Sequence, residues 1–293
     1  MTVYEGDTEA EGSPRHPGVR PLTGGMRWLL LVASVLVFII GIPLFLLSGQ
    51  TDRYFAWTIS LPLTAAFLGA GYWSSFFIEY VASRERVWAN SRVAVPAVFV
   101  FTVLTLVATL IHLDLFHLGS AFPAITQIGT WTWMAVYVSV PVLLAVLWAV
   151  QIRLPGGDPP RRVPMSGGIQ LAIYLLAAGM LAVGVALFVA PLVAGVLWPW
   201  ELTPLTGRAV GAWLIGLGVA AAHMGWERDW RRVLPASTMF AVFGALELVV
   251  LLRFLAGIDW GGLRAWIYLL FLLSMLAVGL YGLYAARTRG RVD

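Results

Sequence analysis

Eight apolar stretches punctuate the chain, separated by short segments where charge and helix breakers collect. Trp28–Leu47, Ile59–Ile78, Val93–Ile111 and Ile128–Val150 lie in the first half, and Ile169–Ala190, Ala209–Gly225, Val233–Leu252 and Ala265–Ala286 in the second. Each is of the order of the ~20 apolar residues a helix needs to cross the hydrocarbon of a bilayer. The pattern predicts an all-α transmembrane fold, an eight-helix bundle with four helices in each half. The least sharp boundary follows Pro191, because Leu192–Trp200 stays apolar beyond a plausible helix end.

The polar segments divide the chain. Residues 1–25 carry Glu, Asp, Pro, Gly and Arg without apolar periodicity and read as a disordered cytoplasmic tail. Residues 154–168, with Pro155-Gly156-Gly157 and Pro159-Pro160-Arg161-Arg162, break helices and read as a cytoplasmic linker between two units, 26–153 and 169–287. Residues 288–293 form a second cytoplasmic tail. Every external connection is short, so any chemistry is expected in or at the membrane.

The two units are related in sequence. Shifted by 142 positions, Pro62-Leu63-Thr64 falls on Pro204-Leu205-Thr206, Gly69-Ala70 on Gly211-Ala212, and Glu85-Arg86-x-Trp88 on Glu227-Arg228-x-Trp230. Sixteen of the 52 residues from Pro62 to Leu113 match without a gap. Leu, Val and Ala coincide easily in any two apolar segments; the three motifs do not, and they indicate a tandem duplication. Four spans per repeat leave both copies in the same orientation, which predicts a pseudo-two-fold axis along the membrane normal. The second and sixth helices are rich in small residues, including Gly69, Ala70, Gly71, Gly211, Ala212, Gly216 and Gly218, and are the expected bundle centre.

Composition agrees with this picture. Hydrophobic residues make up 60% and charged residues 12%, with a mean hydropathy of +0.84, so the bilayer is the expected solvent. All 19 basic residues are Arg. With the N-terminus in the cytoplasm, Arg15, Arg20, Arg27, Arg84, Arg86, Arg92, Arg153, Arg161, Arg162, Arg228, Arg231, Arg232, Arg287, Arg289 and Arg291 fall inside, and Arg53, Arg208, Arg253 and Arg264 fall outside or near the outer face. The positive-inside rule therefore places both termini in the cytoplasm of a multi-pass plasma-membrane protein. The basic pI of about 9.7 follows from that topology and does not argue for nucleic-acid binding. With no Cys, thiol–disulfide chemistry and thiolate metal sites are excluded. The first apolar run is long enough to span and reads as a retained anchor.

Candidate chemistry is sparse. Glu247 is read as the only acid deep in a span, about 21 Å along its helix from Val233. A carboxyl there is costly, and it is either a proton or cation site or a tie between helices. Its counterpart in the first repeat is Thr105, flanked by Thr102 and Thr109 at helical spacing. Arg253, six residues on, lies roughly 240° around the helix from Glu247, so it snorkels outward or meets a neighbouring helix. Glu85, Arg86 and Trp88, with Glu227, Arg228 and Trp230, occupy equivalent cytoplasmic turns. They either set orientation and anchor the interface or latch a cytoplasmic gate. His112, Asp114 and His117 are metal-ligand types, but the two histidines sit about 140° apart on one helix, and interfacial hydrogen bonding competes with a metal site. Pro43 and Pro191 mark expected kinks or helix ends. No zinc-protease, nucleotide-binding or serine-hydrolase motif is present, and no cofactor is expected.

The stretch Trp57–His117, especially Pro62-Leu63-Thr64-Ala65-Ala66-Phe67-Leu68-Gly69, Arg84-Glu85-Arg86-Val87-Trp88 and Leu110-Ile111-His112-Leu113-Asp114, resembles uncharacterised multi-pass membrane proteins of high-GC bacteria. The resemblance implies a bacterial membrane and no activity. The expected function is a permease for a small solute or ion with its site between the repeats. The alternatives are a non-catalytic assembly or regulatory subunit of a membrane complex, bound to other membrane proteins, and an intramembrane enzyme. Lipid is the expected surrounding in every case.

Overall fold

The structure, a computed structural model, describes residues 18–288. Arg15, Arg289, Arg291 and the ends of both predicted tails lie outside the described residues. Those described are helical, with isolated β-bridges and no strand. Eight of the helices have 18 residues or more: α1 (Gly24–Phe45), α2 (Pro62–Arg84), α3 (Ala94–Ile111), α4 (Ala124–Ile152), α5 (Gly167–Val189), α6 (Pro204–Glu227), α7 (Leu234–Arg253) and α8 (Leu263–Thr288). All but α2 are long and apolar enough to cross a membrane, the signature of a multi-pass membrane protein.

The exception has a physical reason. Tyr72, Trp73, Ser74, Ser75 and Glu79 dilute the apolar character of α2, yet all but Trp73 are buried. A helix surrounded by other helices does not meet lipid and can carry polar groups that lipid would penalise. It is packed between α1 and α7, while α6 packs between α5 and α3. The small residues of α2 and α6 do occupy the interior: Ala66, Gly69, Ala70, Gly71, Gly211, Ala212, Gly216 and Gly218 are all buried. By contrast α4, α5 and α8 expose long apolar stripes, among them Ile128, Val142, Leu175, Val189, Ile267 and Leu270.

The repeated motifs acquire local meanings. Pro62 and Pro204 both stand in the first turn of their helices, where the missing N–H costs nothing. Thr203 and Thr206 close a capping box at the start of α6, whereas Thr64 accepts a hydrogen bond from Trp200 Nε1 at 2.9 Å. At the other end, Leu22 N–H donates to the Arg86 carbonyl at 2.8 Å and Trp88 N–H to the Arg20 carbonyl at 3.1 Å. The second half repeats this: Met165 N–H donates to the Arg228 carbonyl at 3.0 Å and Trp230 N–H to Val163 at 2.9 Å. Arg228 caps α6 in the left-handed region, φ 55°.

The described part of the predicted N-terminal tail is tied to the bundle. Within the predicted N-terminal tail, Val19 and Pro21 form bridges to Gly157 and Val87, Leu22 is buried, and Thr23 caps α1. Gln151 at the end of α4 holds this segment, its side chain accepting from Thr23 N–H at 2.8 Å and donating to the Pro21 carbonyl at 2.9 Å. The 154–168 linker is likewise tied down, with Val163 buried and Pro164 bridged to Asp229. Pro43 lies inside α1, which continues to Phe45, while α5 ends at Val189 just before Pro191.

Candidate functional site

The Glu-Arg-x-Trp turns meet. Glu85, capping the end of α2, accepts from Arg231 Nη1 at 2.8 Å and Nη2 at 3.3 Å, and from Asn90 at 3.1 Å. Glu227, ending α6, is completely buried and accepts from Arg92 through both Nε and Nη2, and from Arg232 Nη1 at 3.1 Å. Asp158 from the linker joins Arg92 at 2.8 Å, and the Arg92 guanidinium lies 4.9 Å from the Trp226 ring. Each glutamate thus reaches an arginine from the other half of the chain. A buried carboxylate needs such partners, since desolvating it unpaired would cost several kcal/mol. Asp229 organises the turn by accepting from the backbone N–H groups of Val163, Arg231 and Arg232.

The remaining residues of the motif contribute backbone bonds and core packing. Arg86 and Arg228 contribute backbone carbonyls, as above. Trp88 is 4% exposed and Trp230 1%, so both are core residues and neither belongs to an interfacial aromatic belt.

On the opposite face, His112 Nε2 lies 2.8 Å from Arg208 Nη1. Burial, and after it the Arg208 charge, hold this imidazole below its ordinary value, with Asp114 acting in the opposite direction. Neutral Nε2 can then accept from the guanidinium. His117 has both ring nitrogens engaged, Nδ1 with the Phe55 carbonyl at 2.9 Å and Nε2 with Thr58 at 3.0 Å. His112, Asp114 and His117 therefore do not converge, and no group of His, Cys, Asp or Glu among the described residues could hold a metal. A folded-state depression means His112 is neutral in the fold while the unfolded chain takes a proton near pH 6.5. Its contribution to stability is present above that pH and lost as pH falls. We expect Arg208→Gln to raise the His112 titration midpoint, followed by NMR of the imidazole in micelles; an unmoved midpoint would remove Arg208 as a cause.

Glu247 is buried in α7 and accepts a hydrogen bond from Tyr268 of α8 at 3.0 Å, its other oxygen unpartnered. Around Tyr268 stand Trp198 and Trp200. Arg253 meets a neighbouring helix, donating to the Phe45 carbonyl at the end of α1 at 2.6 Å. Thr102 bonds only its own helix backbone at Val98 and Phe99. Thr109 accepts from Trp133 Nε1 at 3.1 Å, and Thr105 lines a small space shared with Tyr72, Trp133 and Trp213. Glu247 thus faces α8, whereas Thr105, its equivalent in sequence, borders a space between α2, α4 and α6.

The structure adds an acid that the spans drawn from sequence left out. The predicted second span stops at Ile78, whereas α2 continues to Arg84 and buries Glu79 to 2% exposure. Ser75 Oγ donates to Glu79 Oε1 at 3.1 Å, and Oε2 has no partner. Two turns back along the helix, Tyr72 shares a 2.5 Å hydrogen bond with Tyr137 of α4. The signal available in sequence was the spacing Tyr72, Ser75, Glu79, which places all three on one helical face. No protein-family model, curated protein or solved structure matches this chain.

Proposed function

We propose that the chain is a proton-linked permease for a small solute or ion in the bacterial plasma membrane, an eight-span bundle of two parallel four-helix repeats with both termini cytoplasmic. The observation that carries the reading is reciprocal pairing across the halves. The α2–α7 contact has its counterpart in α6–α3, and α1–α2 has its counterpart in α5–α6. Glu85 binds Arg231, and Glu227 binds Arg92. Helix ends support the eighth crossing: the start of α1 hydrogen-bonds beside the end of α2, so α2 runs back alongside α1. Two repeats joined at one face by charge pairs are a rocking pair with a latch. In this reading the latch closes the cytoplasmic side, and Glu247 ties α7 to α8.

The test uses purified protein in liposomes loaded with a pH-sensitive dye, with a potassium-diffusion potential as driving force. Arg231→Glu should raise proton entry several-fold over the native chain, and Glu85→Arg/Arg231→Glu should return it to the native rate. Equal rates in all three proteins would overturn the latch.

A second reading, a non-catalytic subunit of a membrane complex, is favoured by the closed interior: the spaces at the centre of the bundle are only about 10 and 20 Å³. It predicts no flux in any variant and co-purification of a membrane partner with the native chain.

A further inference from the structure

Two small interior spaces flank one aromatic pair. The outer space, about 10 Å³, is lined by Tyr72, Thr105, Thr109 and Trp133; the inner, about 20 Å³, by Ser75, Ile78, Gly216 and Met239. Phe101 of α3 and Trp213 of α6 border both, with ring centroids 4.1 Å apart. Each space is of the order of the ~10–15 Å³ that admits a single water, which excludes any larger solute. Thr105 and Thr109 of α3 meet Tyr72 across the outer space, while Tyr72, Ser75 and Glu79 follow one another along one face of α2. Thr109 and Thr105 lead to the Tyr72–Tyr137 hydroxyl pair, and past the aromatic pair Ser75 hands on to Glu79. Glu79 lies about 25 Å along α2 from Pro62, toward the latch face.

We infer that Glu79 is a proton-binding site inside the membrane, supplied through the Thr109–Thr105–Tyr72/Tyr137 track, with Phe101 and Trp213 as its barrier. The inference deepens the permease reading by naming where the coupling proton resides. Geometry favours a proton over a metal cation: a single carboxylate with one serine offers far fewer than the six oxygens a hard cation requires. The unpartnered Oε2 is free to take the proton, turning carboxylate to carboxylic acid with no other bond changed, while Oε1 keeps the Ser75 hydrogen bond.

The groups that could disturb this equilibrium are few. Tyr72 lies two turns back on the same helix, hydrogen-bonded to Tyr137 from α4. From α1, Arg27 Nε donates to the Ser83 carbonyl, one turn beyond Glu79. Helix α3 carries no titratable side chain, α6 carries Arg208, His223 and Glu227 only at its ends, and α7 carries Glu247 and Arg253 in its outer half.

Infrared difference spectra of the reconstituted full chain between acid and alkaline pH read the site without any transport assay. The expected result is a protonated-carboxyl band that disappears on alkalinisation, is missing in Glu79→Gln and persists in Glu247→Gln. Proton entry into dye-loaded liposomes then tests the track: Phe101→Ala should conduct several-fold faster than the native chain, and Phe101→Ala/Glu79→Gln should fall back to the native rate. Because Phe101→Ala also opens core space, Phe101→Leu serves as a second, better-packed variant with a smaller increase in the same direction. Absence of a Glu79 band at any pH overturns the proton site. A titrating band with no flux in any variant leaves the site standing and overturns the permease reading. Fast flux that survives Glu79→Gln overturns the track.

Discussion

Arg92→Ala should destabilise the folded protein by about 3 kcal/mol or more, whereas Arg231→Ala should cost about 1 kcal/mol or less. Both remove an arginine from a glutamate, and Arg92 takes a second partner, Asp158, with it, so burial and the extra pair act in the same direction. Glu227 is fully buried and Arg92 only 13% exposed, while Arg231 is 35% exposed beside Glu85 at 13%. In the first pair water cannot replace the lost partner, and Glu227 keeps only Arg232 and His223 within reach. In the second, water solvates what is exposed. Arg92→Leu/Glu227→Gln should recover much of the loss, because the unpaired buried charge is removed along with its partner. Thermal melting in detergent, followed by tryptophan fluorescence, would measure all four proteins. Equal losses for Arg92→Ala and Arg231→Ala would contradict the burial argument.

Gly69→Val and Gly211→Val should each disrupt packing between the first two helices of a half, lowering stability by about 1–3 kcal/mol or preventing assembly. A Cβ at Gly69 would stand 2.5 Å from the backbone N of Phe45; at Gly211 it would stand 2.7 Å from the Gly184 carbonyl oxygen and 2.8 Å from the backbone N of Phe188. These are backbone atoms, so relief requires the helices to move apart. Where no hydrophobic effect drives helices together, close backbone approach supplies much of their attraction. Gly179→Ala is the control: nothing lies within 4 Å of its Cβ, and helix propensity alone should stabilise by up to about 1 kcal/mol. Losses at Gly69 and Gly211 no larger than the change at Gly179 would show that the close approaches are not needed.

These two glycines also show what a sequence match can carry. The Gly-Ala correspondence is visible at a shift of 142, but its cause is a contact with Phe45 in one half and Phe188 in the other, which no spacing displays. The same holds for Glu85 and Glu227. Their equivalence is legible; their partners are not, because Arg231 and Arg92 lie 146 and 135 residues away in sequence. His112, Asp114 and His117 were candidates by residue type alone, and the fold turns His112 to Arg208 and His117 to Phe55 and Thr58.

Glu79 marks the boundary between the two kinds of knowledge. Hydropathy located the apolar helices well, since in lipid every backbone polar group must be satisfied within its own helix and every exposed side chain must be apolar. That constraint acts residue by residue, so the linear sequence by itself determined the all-helical, multi-pass character and the apolar outer surfaces. It fails for a helix enclosed by protein, because the neighbours, not lipid, set the cost of a polar side chain. The sequence boundary at Ile78 stopped one residue short of Glu79 for that reason. Which helices enclose α2, which arginine meets which glutamate, and which tyrosines line up with the buried acid depend on contacts between distant segments, and only the tertiary structure decided them.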